Sequence, residues 1–408
     1  MSYAAPEKSI IHFDMDTYFV SCERLNDSSL KNKPILIGGT GNRGVVSSCS
    51  YETRKFGIHS GMPMAKAKVL CPEAICIKGS ASTYMKYSKM VTDIIQEAVP
   101  VLEKTSIDEF YADVSGMDKF FGIYKYAKEL RQRVIKETGL PLSFGLSQNK
   151  VVSKVATGEA KPNNQMKIDL GYEKEFLAPL AIRKIPMIGA VTAESLRNLG
   201  VYQVKQLQQM PLQMVSSVLG KNGKTIWEYA NGIDKRPIVP FSERKSISLE
   251  RTFNTDTIDN RFLKDTITAM GDHLAYQLRR EDKLTGCVAV KLRYTDFTTE
   301  TKQLRIPYTS ADHKIKPVLQ ELFDKIFNRR ILVRMIGVKF SNLVGGHYQI
   351  NLFDDDSKTL DLYKAMDQMK ERFGPKAVVR ASTMAVKTIR DHRNPFKEAP
   401  VLYAYRKQ

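Results

Sequence analysis

The chain has 408 residues, of which 42% are apolar and 26% charged, an ordinary globular composition with room for two to four domains. Lys and Arg number 63 against 44 Asp and Glu, and a formal net charge of +19 points to a polyanionic partner such as nucleic acid. With no apolar signal core, no run of 18 apolar residues, and five cysteines (Cys22, Cys49, Cys71, Cys76, Cys287) that form no CxxC pair, the composition argues against secretion, a membrane span, a zinc site or a disulfide set and predicts a cytoplasmic protein.

In chain order, Ile10-Ile11-His12-Phe13-Asp14-Met15-Asp16 predicts a short apolar strand ending in acids, over residues 9–16. Residues 17–24 read as a helix start, with Tyr18 and Phe19 just past those acids. Residues 34–39 and 44–50 read as strands, 51–57 as a short helix ended by Gly57, and Gly61-Met62-Pro63 opens another helix. Over 82–99, apolar residues recur every three or four positions (Tyr84, Tyr87, Met90, Val91, Ile94, Ile95, Ala98), which predicts a helix.

Residues 105–114 hold a second acidic strand, with Asp108 and Glu109 adjacent among aromatic and β-branched residues. Ionised carboxylates in such a segment need compensation, and a divalent cation supplies it. If the two acidic strands lie side by side, Asp14, Asp108 and Glu109 converge on a set of oxygen ligands suited to Mg²⁺. A helix over 120–138, a strand over 142–146 and a helix over 150–159 follow. The β-α-β-β-α-β order, with an insertion after the first strand, fits a ferredoxin-like palm.

Residues 175–236 read as short helices, and 185–201 has the pattern of a helix-hairpin-helix whose Gly189 lets backbone amides approach a phosphate. Residues 236–244, with two prolines, read as a linker. Between 244 and 345, basic alternating strands (288–294, 299–307, 331–341) and helices (265–280, 314–326) predict a small α/β domain, with Arg279, Arg329 and Arg330 offered to a phosphate backbone. Gln349-Ile350-Asn351-Leu352-Phe353, followed by three aspartates, reads as a recognition peptide, ahead of a helix near 358–373 and an unassigned tail.

The two acidic strands, together with Tyr51-Glu52-Thr53-Arg54-Lys55-Phe56-Gly57-Ile58 and Ala160-Lys161-Pro162-Asn163, resemble the ordered motifs of the Y-family DNA polymerases across residues 9–345. The resemblance is strongest to the DinB branch, with a tail more like that of the UmuC branch. It implies an α+β multidomain chain: a ferredoxin-like palm (1–18 and 80–171), inserted fingers (19–79), a helical thumb with the helix-hairpin-helix (172–236), a linker (237–243), an α/β little finger (244–345), and a clamp-binding peptide with a C-terminal tail (346–408). It implies template-directed addition of dNTPs to a primer 3′-hydroxyl, by a monomer of low fidelity without proofreading, during translesion synthesis.

The resemblance also implies the roles of residues. Two Mg²⁺ ions, about 3.5–4 Å apart in such sites, would be held by Asp14, Asp108, Glu109 and the carbonyl of Met15, with Asp16 a supporting acid. Tyr51, Arg54 and Lys161 would meet the β- and γ-phosphates of the dNTP, and Phe19 would exclude a 2′-hydroxyl. Val45, Ser47, Met62 and Met64 would roof the base pair, and Asn164 stands where the family usually has glycine. Gln349, Ile350, Asn351, Leu352 and Phe353 resemble the pentapeptide that binds the bacterial sliding clamp, although some 55 residues follow it. Primer–template DNA, dNTP and that clamp are the implied partners. A nucleotide cyclase shares the palm and the two-metal logic but needs no basic C-terminal block. A non-catalytic DNA scaffold gains nothing from clustered carboxylates.

Overall fold

Strand β1 (Ile10–Met15) lies at the centre of a five-stranded sheet. In this computed structural model residues 8–39, 41, 43–117, 122–346, 357–374, 377–384 and 386 are described, and the peptide 349–353 lies outside them. The described chain divides into two units, the first ending at Ser242 and the second starting at Glu243. After β1 come α1 (Tyr18–Asn26), β2 (Ile35–Gly38), β3 (Val46–Cys49), α2 (Tyr51–Arg54), α3 (Met64–Leu70), β4 (Ile75–Ile77) and α4 (Ala81–Ala98). The hairpin β5 (Val101–Lys104) and β6 (Glu109–Asp113) follows, then α5 (Ile123–Thr138), β7 (Leu142–Ser147), α6 (Lys150–Ala160) and β8 (Gln165–Lys167).

The sheet order is β5-β6-β1-β7-β8, with β1 antiparallel to both neighbours. Four of these strands keep the ferredoxin-like arrangement, and β8 extends the sheet parallel to β7. Alternation along β1 sorts its side chains onto two faces. Ile11, Phe13 and Met15 join Phe110, Phe144 and the apolar stripes of α4 and α5 in one core. Burying each of the three phenylalanines contributes about 1.5–3 kcal/mol. His12 and Asp14 take the other face, which α6 covers. Gly145 on β7 lets α6 lie this close, because a Cβ there would sit 2.2 Å from the carbonyl oxygen of Ser153.

The inserted segment folds β2, β3 and β4 into a three-stranded sheet of order β3-β2-β4. Met62 and Met64 are buried in its core with Leu36, Val46 and Cys49, so they are interior residues and not the expected roof; Val45 is exposed. Helices α7 (Glu173–Leu177), α8 (Ala190–Arg197), α9 (Val204–Gln209), α10 (Leu212–Leu219) and α11 (Gly223–Ala230) share a core with Val151, Val152 and Val155 of α6. Gly189 is the N-cap of α8, exposed and extended.

The second unit contains β9 (Ser246–Thr257), α12 (Asn260–Arg280), β10 (Lys283–Tyr294), β11 (Thr299–Thr309), α13 (Asp312–Ile326), β12 (Val333–Gly345) and α14 (Ser357–Phe373). Its antiparallel sheet has the order β11-β10-β12-β9, and α12 and α13 pack on one face. The sequence reading lacks β9. This edge strand buries Ile247, Leu249 and Phe253 at alternate positions, but Arg251 occupies the inward position between them and the pairing slips before Thr257, so the apolar alternation is short and interrupted.

Arg279 departs from the expected role at a phosphate backbone. Its guanidinium lies between Asp312 (2.7 Å) and Asp367 of α14 (2.6 Å), with only 13% of the side chain exposed. Two carboxylates satisfy its charge, so it ties α12 to α13 and α14. Arg330 is exposed, and Arg329 is half-buried over the Tyr294 ring with an ion pair to Asp296. All five cysteines are free thiols, four of them buried.

Candidate active site

The acidic ends of β1 and β6 meet, as the strand pairing requires. Asp14 lies directly opposite Glu109 in the antiparallel register, and His12 opposite Tyr111. Asp108 sits one residue ahead of β6, in a turn and not in the strand. The Ser106 hydroxyl makes that turn: it accepts from the amides of Asp108 (3.2 Å) and Glu109 (3.0 Å) and donates to the Asp108 carboxylate (2.5 Å). The Met15 amide donates to the Asp108 carbonyl at 3.1 Å and so binds the turn to β1.

Two lysines already serve this acid group. Lys161 Nζ is 2.5 Å from Asp14 and 3.7 Å from Asp16, and Lys154 Nζ is 2.7 Å from Glu109. Burial lifts the Asp14 carboxyl to about 7; Lys161 opposes the rise, while Glu109 and Asp108 add to it. Burial also raises the Asp108 carboxyl, against the pull of the Ser106 hydroxyl. Negative charge withdrawn from water is thus crowded into one place.

Asp16 has a different part. Its side chain is buried, accepts from Ser143 Oγ at 2.9 and 3.1 Å and from the Asn163 amide at 2.6 Å, and lies 3.5 Å from the Tyr51 hydroxyl. These contacts fix the loop that presents Lys161. Arg131 holds the same loop from behind, donating to the carbonyl and side-chain oxygens of Asn163 and to the Leu142 carbonyl. The left-handed backbone falls on Asn163 (φ 48°), so Asn164 does not need a glycine's freedom.

Tyr51 and Arg54 share the single turn α2, which the Ser50 hydroxyl caps, with the guanidinium 4.9 Å over the tyrosine ring. Arg54 is exposed and Tyr51 half-buried. Phe19 stacks on Tyr84 with ring centres 4.3 Å apart, and the Tyr84 hydroxyl donates to Glu23 at 2.6 Å. Phe19 therefore has a rigid backing.

The structure brings Asp14, Asp108, Glu109, Met15, Tyr51 and Lys161 together around one corner of the first unit, with Phe19 on the adjoining helix α1. Gly189 stands at the start of α8, Arg329 and Arg330 belong to the second unit, and 349–353 lie outside the described residues. Ser143, Lys154, Arg131 and Tyr84 belong to the site and were not singled out from sequence. Lys154 did carry a signal: it stands seven residues, two helical turns, before Lys161.

Among the described residues no three Asp, Glu, His or Cys side chains are drawn into one closed metal cluster. The donors nevertheless fit a hard cation: they are all oxygen, two of the carboxyls are raised by burial and, to a smaller extent, by neighbouring carboxylate charge, and ammonium groups stand in as their counter-charges.

Comparison with known proteins identifies the family. Residues 13–158 match the impB/mucB/samB family, 244–352 its C-terminal domain, and 171–201 the IMS family HHH motif. A DNA polymerase IV of Dehalococcoides mccartyi is 36% identical over 384 residues, covering 93% of this chain and 98% of the relative. One from Desulfatibacillum aliphaticivorans is 31% identical over 92% of this chain and 97% of the relative. The chain belongs to the impB/mucB/samB family of Y-family DNA polymerases.

As a member of that family it is a DNA-directed DNA polymerase of the DinB-like, translesion class. The fold agrees: a Y-family polymerase chimera, "Dbh-Dpo4(243-245)-Dbh", superposes with a TM-score of 0.72 at 24% identity, over 83% of this chain and 100% of that one. DinB from Sulfolobus solfataricus superposes at 0.58 and 23% identity, with the same coverage. Among the described residues no helix is long and apolar enough to cross a membrane.

Proposed function

We propose that the polymerase active site is the corner formed by Asp14, Asp108 and Glu109. The observation that carries this reading is the direct pairing of Asp14 with Glu109 across β1 and β6, with Asp108 held beside them by Ser106. These carboxylates and the Met15 carbonyl would hold two Mg²⁺ ions, which supply acidification of the primer 3′-hydroxyl and neutralisation of the triphosphate when bound. Lys161, presented by the loop that Asp16 anchors, supplies a point charge to the β- and γ-phosphates of the dNTP. Arg54 adds a forked contact from α2, and Tyr51 beside it a hydroxyl. Phe19, fixed against Tyr84, fills the space a ribose 2′-hydroxyl would need.

On this reading residues 1–18 and 80–171 are the palm, 19–79 the fingers, 172–236 the thumb, 237–243 the linker and 244–345 the little finger. Gly189, at the start of α8, and the exposed Arg330 contact the DNA backbone, with Arg329 beside it. Residues 349–353 bind the sliding clamp, and the polymerase works as a monomer of low fidelity without proofreading, in the cytoplasm.

Primer extension on a primed template with single dNTPs and Mg²⁺ tests the site. Asp108→Ala abolishes extension and leaves primer–template affinity within about threefold, since the chemistry and the phosphate contacts are separate. Extension by Asp108→Ala at the wild-type rate would remove the carboxylates from the reaction.

A further inference from the structure

Lys150 and Lys154 are four residues apart on one face of α6, and Lys161 follows just past its end. Each meets an acid of the sheet. Lys150 donates to both oxygens of Glu103 (2.6 and 2.7 Å), Lys154 to Oε2 of Glu109 (2.7 Å), and Lys161 to Asp14. Lys150 is a buried tie, 8% exposed and 4.8 Å over the Tyr111 ring. Lys161 lies in the motif read above for the triphosphate. Lys154 has neither account.

The Lys154 side chain is 35% exposed and that of Glu109 27%, so the pair is partly wet and adds little to stability. It does two other things. It holds one oxygen of Glu109, and it sets a permanent positive charge beside the carboxylates that would take a cation. A like charge at that range opposes cation binding. A triphosphate, arriving with its own negative charge, offsets that opposition.

We propose that Lys154 is a positioning residue that fixes Glu109 in the free polymerase and lowers the resting affinity of the acid group for divalent cations, so that the cation is taken up together with the nucleotide. The inference rests on the carboxylate site proposed above. Arginine should substitute for lysine here, and a neutral side chain should not.

The test is Mn²⁺ titration of the full chain without DNA, followed by electron paramagnetic resonance. Lys154→Met and Lys154→Gln should each bind Mn²⁺ about fivefold more tightly than wild type, and Lys154→Arg should match wild type. In primer extension, the Mg²⁺ concentration for half-maximal rate at subsaturating dNTP should fall in Lys154→Met, while the KM for dNTP at saturating Mg²⁺ should rise, because a cation already held gains less from the nucleotide and the coupling is reciprocal; a purely structural role would not produce that split. Unchanged or weaker Mn²⁺ binding by both neutral variants overturns the inference. Asp14→Asn and Glu109→Gln keep the two readings apart. If neither weakens Mn²⁺ binding, the carboxylate site itself is wrong. If both do and the Lys154 variants bind as wild type, only the role of Lys154 fails.

Discussion

At the scale of single residues, the site is a contest between burial and charge. Asp14 is raised from 3.8 to about 7 because it leaves water, with Lys161 only partly offsetting the cost. A carboxyl raised on folding binds its proton more tightly in the native state. In the metal-free protein this group therefore costs stability as pH rises from about 4 toward 7, and the cost is constant above that. A divalent cation competes with the same proton. Mg²⁺ should thus raise the thermal midpoint more at pH 8 than at pH 6; an equal shift at both would mean that Asp14 is not the linked group. Phe19 offers a separate check. Its ring is fixed by stacking on Tyr84, so Phe19→Ala should raise ribonucleotide insertion by at least about tenfold, measured as the ratio of kcat/KM for rNTP and dNTP. The three acids were legible in the sequence because carboxylates in an apolar strand have few other uses. Ser143 and Arg131 were not, since a serine in a strand and a basic residue on a helix take their meaning only from what the fold sets opposite them.

At the scale of elements, α6 connects the sheet to the charges that serve it. Its approach depends on Gly145, where a Cβ would lie 2.2 Å from Ser153 O and 2.6 Å from Thr157 N. Gly145→Ala should push α6 outward and carry Lys154 and Lys161 with it. A stability loss of about 1–3 kcal/mol in urea denaturation, together with a fall in kcat, is expected; wild-type values for both would show that α6 yields at no cost. The apolar periods of β1, β6 and α4 were plain in the chain because each buries one continuous stripe. Strand β9 was hidden by its edge position and by Arg251 at one of its inward positions, and Met62 and Met64 read as lining when they are core. Arg279 was misjudged for a related reason: the partners that remove it from solvent lie 33 and 88 residues away.

At the scale of the whole molecule, the net charge of +19 sets how the polymerase meets DNA. Affinity for primer–template should fall steeply and linearly on a log–log plot against salt, because bound phosphates release counterions. Arg330→Ala should reduce that slope by about one, read from fluorescence anisotropy at several salt concentrations, and an unchanged slope would place Arg330 away from the DNA. Charge also acts inside the second unit. Asp312, 2% exposed, holds both Arg279 and Arg380; Asp272 holds Arg380, Asp367 holds Arg279, and Tyr363 of α14 is buried with its hydroxyl accepting from the His313 amide at 3.0 Å. Helix α14 is thus fastened by contacts that do not depend on the peptide leading to it. A protease cut anywhere between Gly346 and Ser357 would leave two fragments that still travel as one particle in a native gel and separate only on denaturation.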